Sequence, residues 1–303
     1  MKKLYGVTAA MITPISSDGN IDLEGMGQLT EMLINKGISC LYPCGTTGEM
    51  LRLNTEERKA VAERVVEKAD GRVPVYIHCG AMRQEDTIEL LKHARSIGAD
   101  GAGVVTPQYF MASDRELLTY YEMIAAEAEE FPIYLYAIPQ CAGNDISAAL
   151  ASEIAERCPN IVGIKYSYAD INRTIDYLKI RDGRFSVLHG CDRAMLAMLA
   201  LGCDGVVSGI AGVFPEPFVK AYKLYMEGRL EEAQKVQRLC VQFCDALKCG
   251  CNMSYFKQAL GFRNIAGGVM RRPQLNIDEA EAGKLKEKLQ ALCKAGDLCM
   301  DAS

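Results

Sequence analysis

Short apolar runs rich in β-branched and aromatic residues alternate with amphipathic stretches along the first 227 residues. The apolar runs have the length of buried strands, and the stretches between them have helical periodicity. The predicted strands are 5–12, 38–43, 73–78, 101–106, 133–138, 161–166, 185–189 and 205–208. Eight strand–helix units in succession favour an α/β fold of the closed (β/α)8 type, the TIM barrel, over an open doubly wound sheet.

Helix start and stop signals agree with this alternation. Asn54 with Glu57, and Ser113 with Glu116, have the spacing of a capping box, and Gly37 is a stop signal after the first helical stretch. Further helices are predicted over 84–97, 147–158, 170–180, 192–201 and 215–227.

The strand signal ends after residue 228. Helices are predicted at 230–248, 255–262 and 278–294, the last with a stripe of Leu285, Leu289 and Leu292. We therefore expect a barrel over 1–228 and a small all-helical extension over 229–303 that packs on it.

Composition narrows the classes of partner and location. The formal net charge of −5 disfavours nucleic acid and anionic membranes as main partners. No run of about 18 uncharged apolar residues is present, and Met1-Lys2-Lys3-Leu4 lacks the features of a signal peptide. The 13 cysteines are odd in number and irregularly spaced, which predicts a reduced, cytoplasmic protein rather than a disulfide framework.

Metal ligands are sparse in the sequence. The densest cysteine cluster matches no standard zinc spacing and has no histidine nearby, so helix packing is favoured over a metal site; it comprises Cys240, Cys244, Cys249 and Cys251. The three histidines, His78, His93 and His189, show no ligand spacing. His189 follows the seventh strand and is interpreted either as a substrate contact or as packing.

In a (β/α)8 barrel the active site lies at the carboxyl ends of the strands. After strand two comes Gly45-Thr46-Thr47-Gly48-Glu49, in which two glycines flank two hydroxyls. Such a turn can bind a carboxylate or phosphate through free backbone N–H groups. It is not a P-loop, since no Lys-Ser or Lys-Thr follows, and an ordinary Gly-Thr turn is the alternative.

A lysine and a tyrosine end two neighbouring strands. Lys165 ends the apolar strand six, where burial disfavours the charged ammonium and favours a neutral amine nucleophile. Tyr136 ends strand five, so its phenol is expected beside this amine as a proton carrier. The alternatives are a lysine that extends to the barrel rim and a tyrosine that only packs.

Taken together, these motifs resemble those of a known family. Their order and spacing are similar to those of the class I pyruvate-dependent aldolases of the dihydrodipicolinate synthase / N-acetylneuraminate lyase family, over nearly the whole chain. The matching segments are Gly45-Thr46-Thr47-Gly48-Glu49, Tyr136-x-x-Pro139, Gly163-Ile164-Lys165, Thr13-Pro14, Thr106-Pro107, and Gly190 with Asp192.

The resemblance implies a role for each matching residue. Lys165 would form a Schiff base with the keto group of pyruvate or another 2-keto acid, so no metal or other cofactor is expected. Tyr136 and Thr46 would relay protons, and the turn with Gly45 and Thr47 would hold the substrate carboxylate. The remaining substrate-binding positions would be Ser167, Gly190, Asp192 and Arg193.

One further tyrosine implies an assembly. Tyr109 matches a tyrosine that such enzymes insert into the site of a neighbouring subunit, which presumes a homodimer or homotetramer. In the family a second tyrosine usually precedes that position, whereas Gln108 stands here.

Two departures from the family pattern bear on the substrate. Dihydrodipicolinate synthases carry an arginine two residues after the proline of Tyr-x-x-Pro, and this chain has Cys141 there. Without that cation an anionic aldehyde loses its bidentate partner. The neuraminate lyases have Asp-Glu after strand seven, where this chain has Asp192-Arg193, and Arg193 either contacts an acidic tail or lies solvated at the rim.

The leading hypothesis is a lyase that cleaves or forms a C–C bond between pyruvate and an aldehyde, with a 2-keto-3-deoxy sugar acid or an N-acetylneuraminate-like compound as substrate. A dihydrodipicolinate synthase-type condensation is the alternative within the same lysine chemistry. A barrel that binds a keto acid without turnover is the alternative from another class, and the intact Lys165, Tyr136 and Thr46 argue against it.

Overall fold

Eight parallel strands form a barrel with a filled interior in the computed structural model, which describes residues 3–302. The strands are β1 (Gly6–Ala10), β2 (Cys40–Tyr42), β3 (Tyr76–His78), β4 (Gly101–Val105), β5 (Ile133–Ala137), β6 (Ile161–Tyr166), β7 (Ser186–His189) and β8 (Gly205–Ser208). They pair in the order β2-β1-β8-β7-β6-β5-β4-β3. A bridge between Leu41 and Val75 brings β2 next to β3 and nearly closes the barrel.

Helices connect the strands on the outside, which confirms the predicted (β/α)8 class. They are α1 (Leu23–Asn35), α2 (Thr55–Ala69), α3 (Gln84–Ser96), α4 (Asp114–Ala126), α5 (Pro139–Ala142), α6 (Ala148–Arg157), α7 (Ile171–Leu178), α8 (Met195–Leu201) and α9 (Pro215–Met226). Both predicted capping boxes are present, at the starts of α2 and α4.

Glycines inside the barrel make room for tyrosines from nearby strands. A Cβ atom at Gly103 of β4 would lie 1.9 Å from the Tyr42 hydroxyl of β2. A Cβ at Gly163 of β6 would lie 2.5 Å from the Tyr134 ring of β5. Large rings therefore fill the space that these glycines leave in the interior, because glycine carries no side chain.

The C-terminal extension contributes to the same core as the barrel. Its helices are α10 (Leu230–Ala246), α11 (Met253–Phe262) and α12 (Glu279–Gly296). Phe243 of α10 packs on Phe214, with ring centroids 4.5 Å apart. The predicted stripe of α12 faces inward, with Leu285 and Leu289 buried. The domain boundary at residue 228 stays a prediction.

Two short segments differ from the predicted elements. The predicted helix 192–201 begins instead with a 3-10 turn at Asp192–Ala194, and α8 follows it. Helix α5 was not predicted, because its four residues are too few to show helical periodicity. It places Cys141 just beyond β5.

The structure separates the densest cysteine cluster. Cys240 and Cys244 are buried on α10, whereas Cys249 and Cys251 are exposed after it. Within residues 3–302, no group of three or more His, Cys, Asp or Glu side chains is arranged to hold a metal ion. Over the same residues, no helix has both the length and the apolar character that a membrane span requires.

Candidate active site

Lys165 and Tyr136 lie side by side at the carboxyl ends of β5 and β6. Their Cα atoms are register partners across the two strands. Lys165 is only 4% exposed, and its Nζ lies 3.9 Å from the centroid of the Tyr136 ring. The predicted pairing of amine and phenol is therefore present, with the amine inside the barrel rather than at its rim.

The Gly-Thr turn after β2 meets this pair. The Thr46 hydroxyl lies 3.2 Å from the Tyr136 hydroxyl, which joins the turn to the phenol by a hydrogen bond. Thr47 faces Gly209 beyond β8, where a Cβ atom would lie 3.1 Å from its hydroxyl oxygen. Gly45 is buried against the Tyr42 ring.

The end of the same turn, at Glu49, is anchored by two basic residues that the sequence analysis missed, Lys257 and Arg52. Glu49 is buried, and its carboxylate oxygens lie 2.9 Å from Lys257 Nζ and 2.8 Å from Arg52 Nη1. The Thr13 hydroxyl donates to the Gly48 carbonyl oxygen at 2.8 Å. No local pattern identifies Lys257, because it belongs to α11 and is distant in sequence from the turn.

Two further unpredicted side chains form the floor below Lys165. The Lys165 Nζ lies 4.9 Å from the centroid of the Tyr42 ring. His78, at the end of β3, is fully buried and packs edge-on against Tyr136 at 5.7 Å. Burial, with Arg58 and Lys165 as nearby charges, holds the pKa of His78 well below its usual value. His78 is therefore neutral at physiological pH.

The loops after β6 and β7 lie close together. The Ser167 side chain covers Gly190, where a Cβ atom would lie 2.0 Å from the serine oxygen, so glycine is required at that position. Burial raises the pKa of Asp192 to about 6, and hydrogen bonding to Ser208 opposes the shift. Arg193 does not face Lys165 but forms an ion pair with Asp245 of α10.

His189 lies on the outer side of the strands. Its neighbour Leu188 belongs to the interior cluster, and side chains alternate along a strand. The His189 ring packs edge-on against Tyr166 at 5.9 Å, and burial lowers the pKa of His189 to about 4. Of the two interpretations of His189, the geometry favours packing.

A cleft of about 180 Å³ opens beside Thr46. Its lining is mainly apolar and includes Cys141, Gln108 and Arg52. Tyr109, the residue after Gln108, is 81% exposed and stacks edge-on with Phe110. The Tyr109 side chain thus lies on the surface rather than in the site of its own chain.

Comparison with known proteins agrees with this geometry. Residues 3–292 match the model of the dihydrodipicolinate synthetase family. The chain is 34% identical over 297 residues to a 4-hydroxy-tetrahydrodipicolinate synthase of Methanothrix thermoacetophila, with 98% of each chain covered. It is also 34% identical over 245 residues to a probable 2-dehydro-3-deoxy-D-pentonate aldolase of Escherichia coli K12, covering 80% of this chain and 81% of the relative.

A solved structure shares the whole architecture. The crystal structure of YagE, a prophage protein of Escherichia coli K12 in complex with pyruvate, superposes with a TM-score of 0.91 at 30% identity. The alignment covers 98% of this chain and 100% of that one. A family match over nearly the full length, a barrel of this type and a lysine–tyrosine–threonine cluster at its mouth lead to one conclusion: this chain is a lyase of the dihydrodipicolinate synthetase family.

Proposed function

We propose that this chain is a Schiff-base-forming aldolase that cleaves or forms a C–C bond between pyruvate and an aldehyde. The observation that carries the proposal is the buried Lys165 amine over the Tyr136 ring, with the Tyr136 hydroxyl bonded to Thr46. An amine sheltered from water beside a phenol meets the requirements of a nucleophile with an adjacent proton carrier. The pyruvate bound in the related YagE structure supports the keto acid.

The proposed reaction forms a Schiff base on Lys165 and then cleaves the C–C bond. The Lys165 amine attacks the C2 carbonyl carbon of the keto acid, the oxygen gains a proton from Tyr136, and the resulting phenolate takes a proton back from the nitrogen to give a neutral carbinolamine. Loss of water, with a proton supplied by the same phenol, leaves an iminium ion. The iminium accepts the electron pair of the C3–C4 bond while the Tyr136 phenolate takes the proton of the C4 hydroxyl, so the aldehyde departs and the enamine of pyruvate remains. Thr46 passes protons between Tyr136 and the substrate.

The substrate proposal rests on the side chains around the cleft. Cys141 lines the cleft and offers no cation to an anionic aldehyde, and Arg193 is engaged by Asp245. The cation of the cleft, Arg52, is paired with Glu49. With no unpaired cation among these lining residues, the cleft disfavours an anionic aldehyde and favours the uncharged tail of a 2-keto-3-deoxy sugar acid, in agreement with the pentonate aldolase relative.

A dihydrodipicolinate synthase-type condensation is the second candidate. It is favoured by the 34% identity to a 4-hydroxy-tetrahydrodipicolinate synthase over 98% of both chains. Cys141 argues against it, because a cysteine provides no cation for the anionic aldehyde.

We also propose a homo-oligomer, either a dimer or a tetramer, in which Tyr109 of one copy reaches the cleft of another. The exposed segment Tyr109-Phe110-Met111 follows directly on Gln108, which lines the cleft. Three adjacent exposed apolar side chains form a surface that association would cover.

The free state of all the cysteines agrees with the cytoplasmic location predicted from the sequence.

Borohydride trapping tests the Schiff base. Incubation with pyruvate and borohydride is expected to add the mass of a reduced pyruvate adduct to the peptide that contains Lys165. The Lys165→Arg variant is expected to form no adduct, whereas Lys248→Arg, which changes an exposed lysine, should react like the wild type. Absence of an adduct, or an adduct on another lysine, would overturn the proposal and favour a barrel that binds without turnover.

A substrate screen then separates the two candidates. Pyruvate release from 2-keto-3-deoxy sugar acids and from N-acetylneuraminate is compared with pyruvate consumption in the presence of aspartate semialdehyde. Release from a sugar acid is expected to be fastest. Faster consumption with the semialdehyde would refute the argument from Cys141 and establish the condensation.

A further inference from the structure

The turn that is proposed to receive the substrate carboxylate is held by a buried ion pair from outside the barrel. Lys257 of α11 and Glu49 at the end of the turn have side chains that are 1% and 3% exposed, with Nζ and Oε1 2.9 Å apart. We propose that Lys257 is a positioning residue: through Glu49 it fixes the turn that binds the keto-acid carboxylate. This inference rests on the proposed function.

Lys257 fastens the turn through more than one contact. Its Nζ also donates to the Thr13 carbonyl oxygen at 2.8 Å. The Thr13 hydroxyl in turn donates to the Gly48 carbonyl oxygen at 2.8 Å. The last two residues of the turn, Gly48 and Glu49, are therefore tied to α11 and to the segment after β1.

Backbone hydrogen bonds link Glu49 directly to the other residues of the turn, which lie near Lys165. The Glu49 N–H donates to the Thr46 carbonyl oxygen at 3.0 Å, and the Met50 N–H donates to the Gly45 carbonyl oxygen at 3.2 Å. A shift of Glu49 therefore moves Thr46, and with it the hydroxyl that bonds to Tyr136. A misplacement of a binding group by about 1 Å is enough to weaken binding and catalysis strongly.

The backbone of Glu49 needs an external restraint. Its φ of 60° lies in the left-handed region, which a residue with a side chain adopts only at a cost in free energy. The Glu49 carboxylate is held on both sides, by Lys257 at one oxygen and by Arg52 at the other. Loss of Lys257 removes one restraint and leaves a buried carboxylate partly uncompensated.

A second ion pair between the extension and the barrel provides a control. Arg263, just after α11, is fully buried and pairs with Glu216 of α9, and it donates to the Val213 carbonyl oxygen at 2.6 Å. None of these partners belongs to the Gly-Thr turn. Loss of Arg263 should therefore destabilise the protein without displacing the carboxylate site.

The experiment measures the pyruvate concentration that half-saturates borohydride trapping, together with KM, kcat and Tm. Lys257→Met is expected to raise the half-saturating concentration and KM at least tenfold, and to lower kcat as well, because the displaced Thr46 hydroxyl loses its place beside Tyr136. Glu49→Gln, which keeps the side-chain shape, should act in the same direction to a smaller extent, and Lys257→Arg should restore part of the binding. Arg263→Met should lower Tm but leave the half-saturating concentration unchanged.

Each possible result either supports or refutes the role of Lys257 as a positioning residue. If Lys257→Met lowers Tm and leaves half-saturation as in the wild type, its role is structural and the inference fails. If Lys257→Met does not fold, Glu49→Gln decides: unchanged half-saturation overturns the inference. A wild-type protein that forms no adduct at all would instead refute the proposed function and the inference with it, which distinguishes the two failures.

Discussion

Lys165 and Lys257 are the two buried lysines within residues 3–302, and they differ because of the side chains that surround them. Lys257 faces a carboxylate, whereas Lys165 lies over the rings of Tyr136 and Tyr42. Burial lowers the pKa of Lys257, and the charge of Glu49 opposes that shift. The same residue type is thus suited to hold a turn in one place and to react with a carbonyl in the other.

Asp192 provides a residue-scale test through pH. Burial raises its pKa from 3.8 to about 6, so the folded state binds this proton more tightly than the unfolded state. The free energy of unfolding therefore falls as pH rises from about 4 through 6, and the cost of the buried charge is complete above pH 7. Asp192→Asn removes this cost and is expected to stabilise the protein by about 1–3 kcal/mol at pH 8 and by roughly half as much at pH 5.

Urea unfolding at the two pH values, at one protein concentration, checks this expectation. The control is Asp182→Asn, which changes an exposed carboxylate and should alter the free energy of unfolding by the same amount at both pH values. A stabilisation by Asp192→Asn that is equal at pH 5 and pH 8 would contradict the assigned pKa.

At the scale of elements, the shape of the barrel interior depends on pairs of glycine and tyrosine. Gly103 of β4 gives room to Tyr42 of β2, and the Tyr42 ring in turn lies under Lys165. The packing of β2 against β4, the two strands that flank β3, therefore determines the floor of the site. Such a layer tolerates no extra volume, because interior packing is close to that of a crystal.

Gly103→Ala is expected to destabilise the barrel by about 1–3 kcal/mol, since its new methyl group would lie 1.9 Å from the Tyr42 hydroxyl. Gly283→Ala in α12 meets no atom within 4 Å and should stabilise by about 0.5–1 kcal/mol. Thermal unfolding checks both. If the first loss comes from the clash, Tyr42→Phe in the same chain will recover part of it.

At the scale of the whole molecule, the surface beside the cleft is unusually apolar. Tyr109, Phe110 and Met111 are all exposed, and Leu51, which lines the cleft, is exposed as well. The backbone of Tyr109 has a φ of 73°, in the left-handed region, and so holds the segment in a defined shape. This surface is the basis of the proposed oligomer.

Phe110→Asp is expected to shift the protein to a smaller species in sedimentation velocity, because a carboxylate would have to be buried in the interface. Leu275→Asp, at an exposed leucine on the segment between α11 and α12, should leave the assembly unchanged. An unaltered sedimentation coefficient for Phe110→Asp would place the interface elsewhere.

The elements and the central pair of the site could be predicted from the sequence. Strand periodicity and capping signals such as Asn54 with Glu57 depend on residues a few positions apart, so they can be read before folding. The adjacency of Tyr136 and Lys165 followed from the order of parallel strands in a barrel.

Which charges and rings come into contact could not be predicted before the folded structure was known. The ion pairs of Glu49 with Lys257 and of Arg193 with Asp245 join segments distant in sequence, and local periodicity carries no information about such partners. The position of His78 beside Tyr136 likewise depends on how strands that are not neighbours in the sheet face each other inside the barrel. These contacts arise from the packing of completed elements, so they are settled only when the barrel and its C-terminal helices come together.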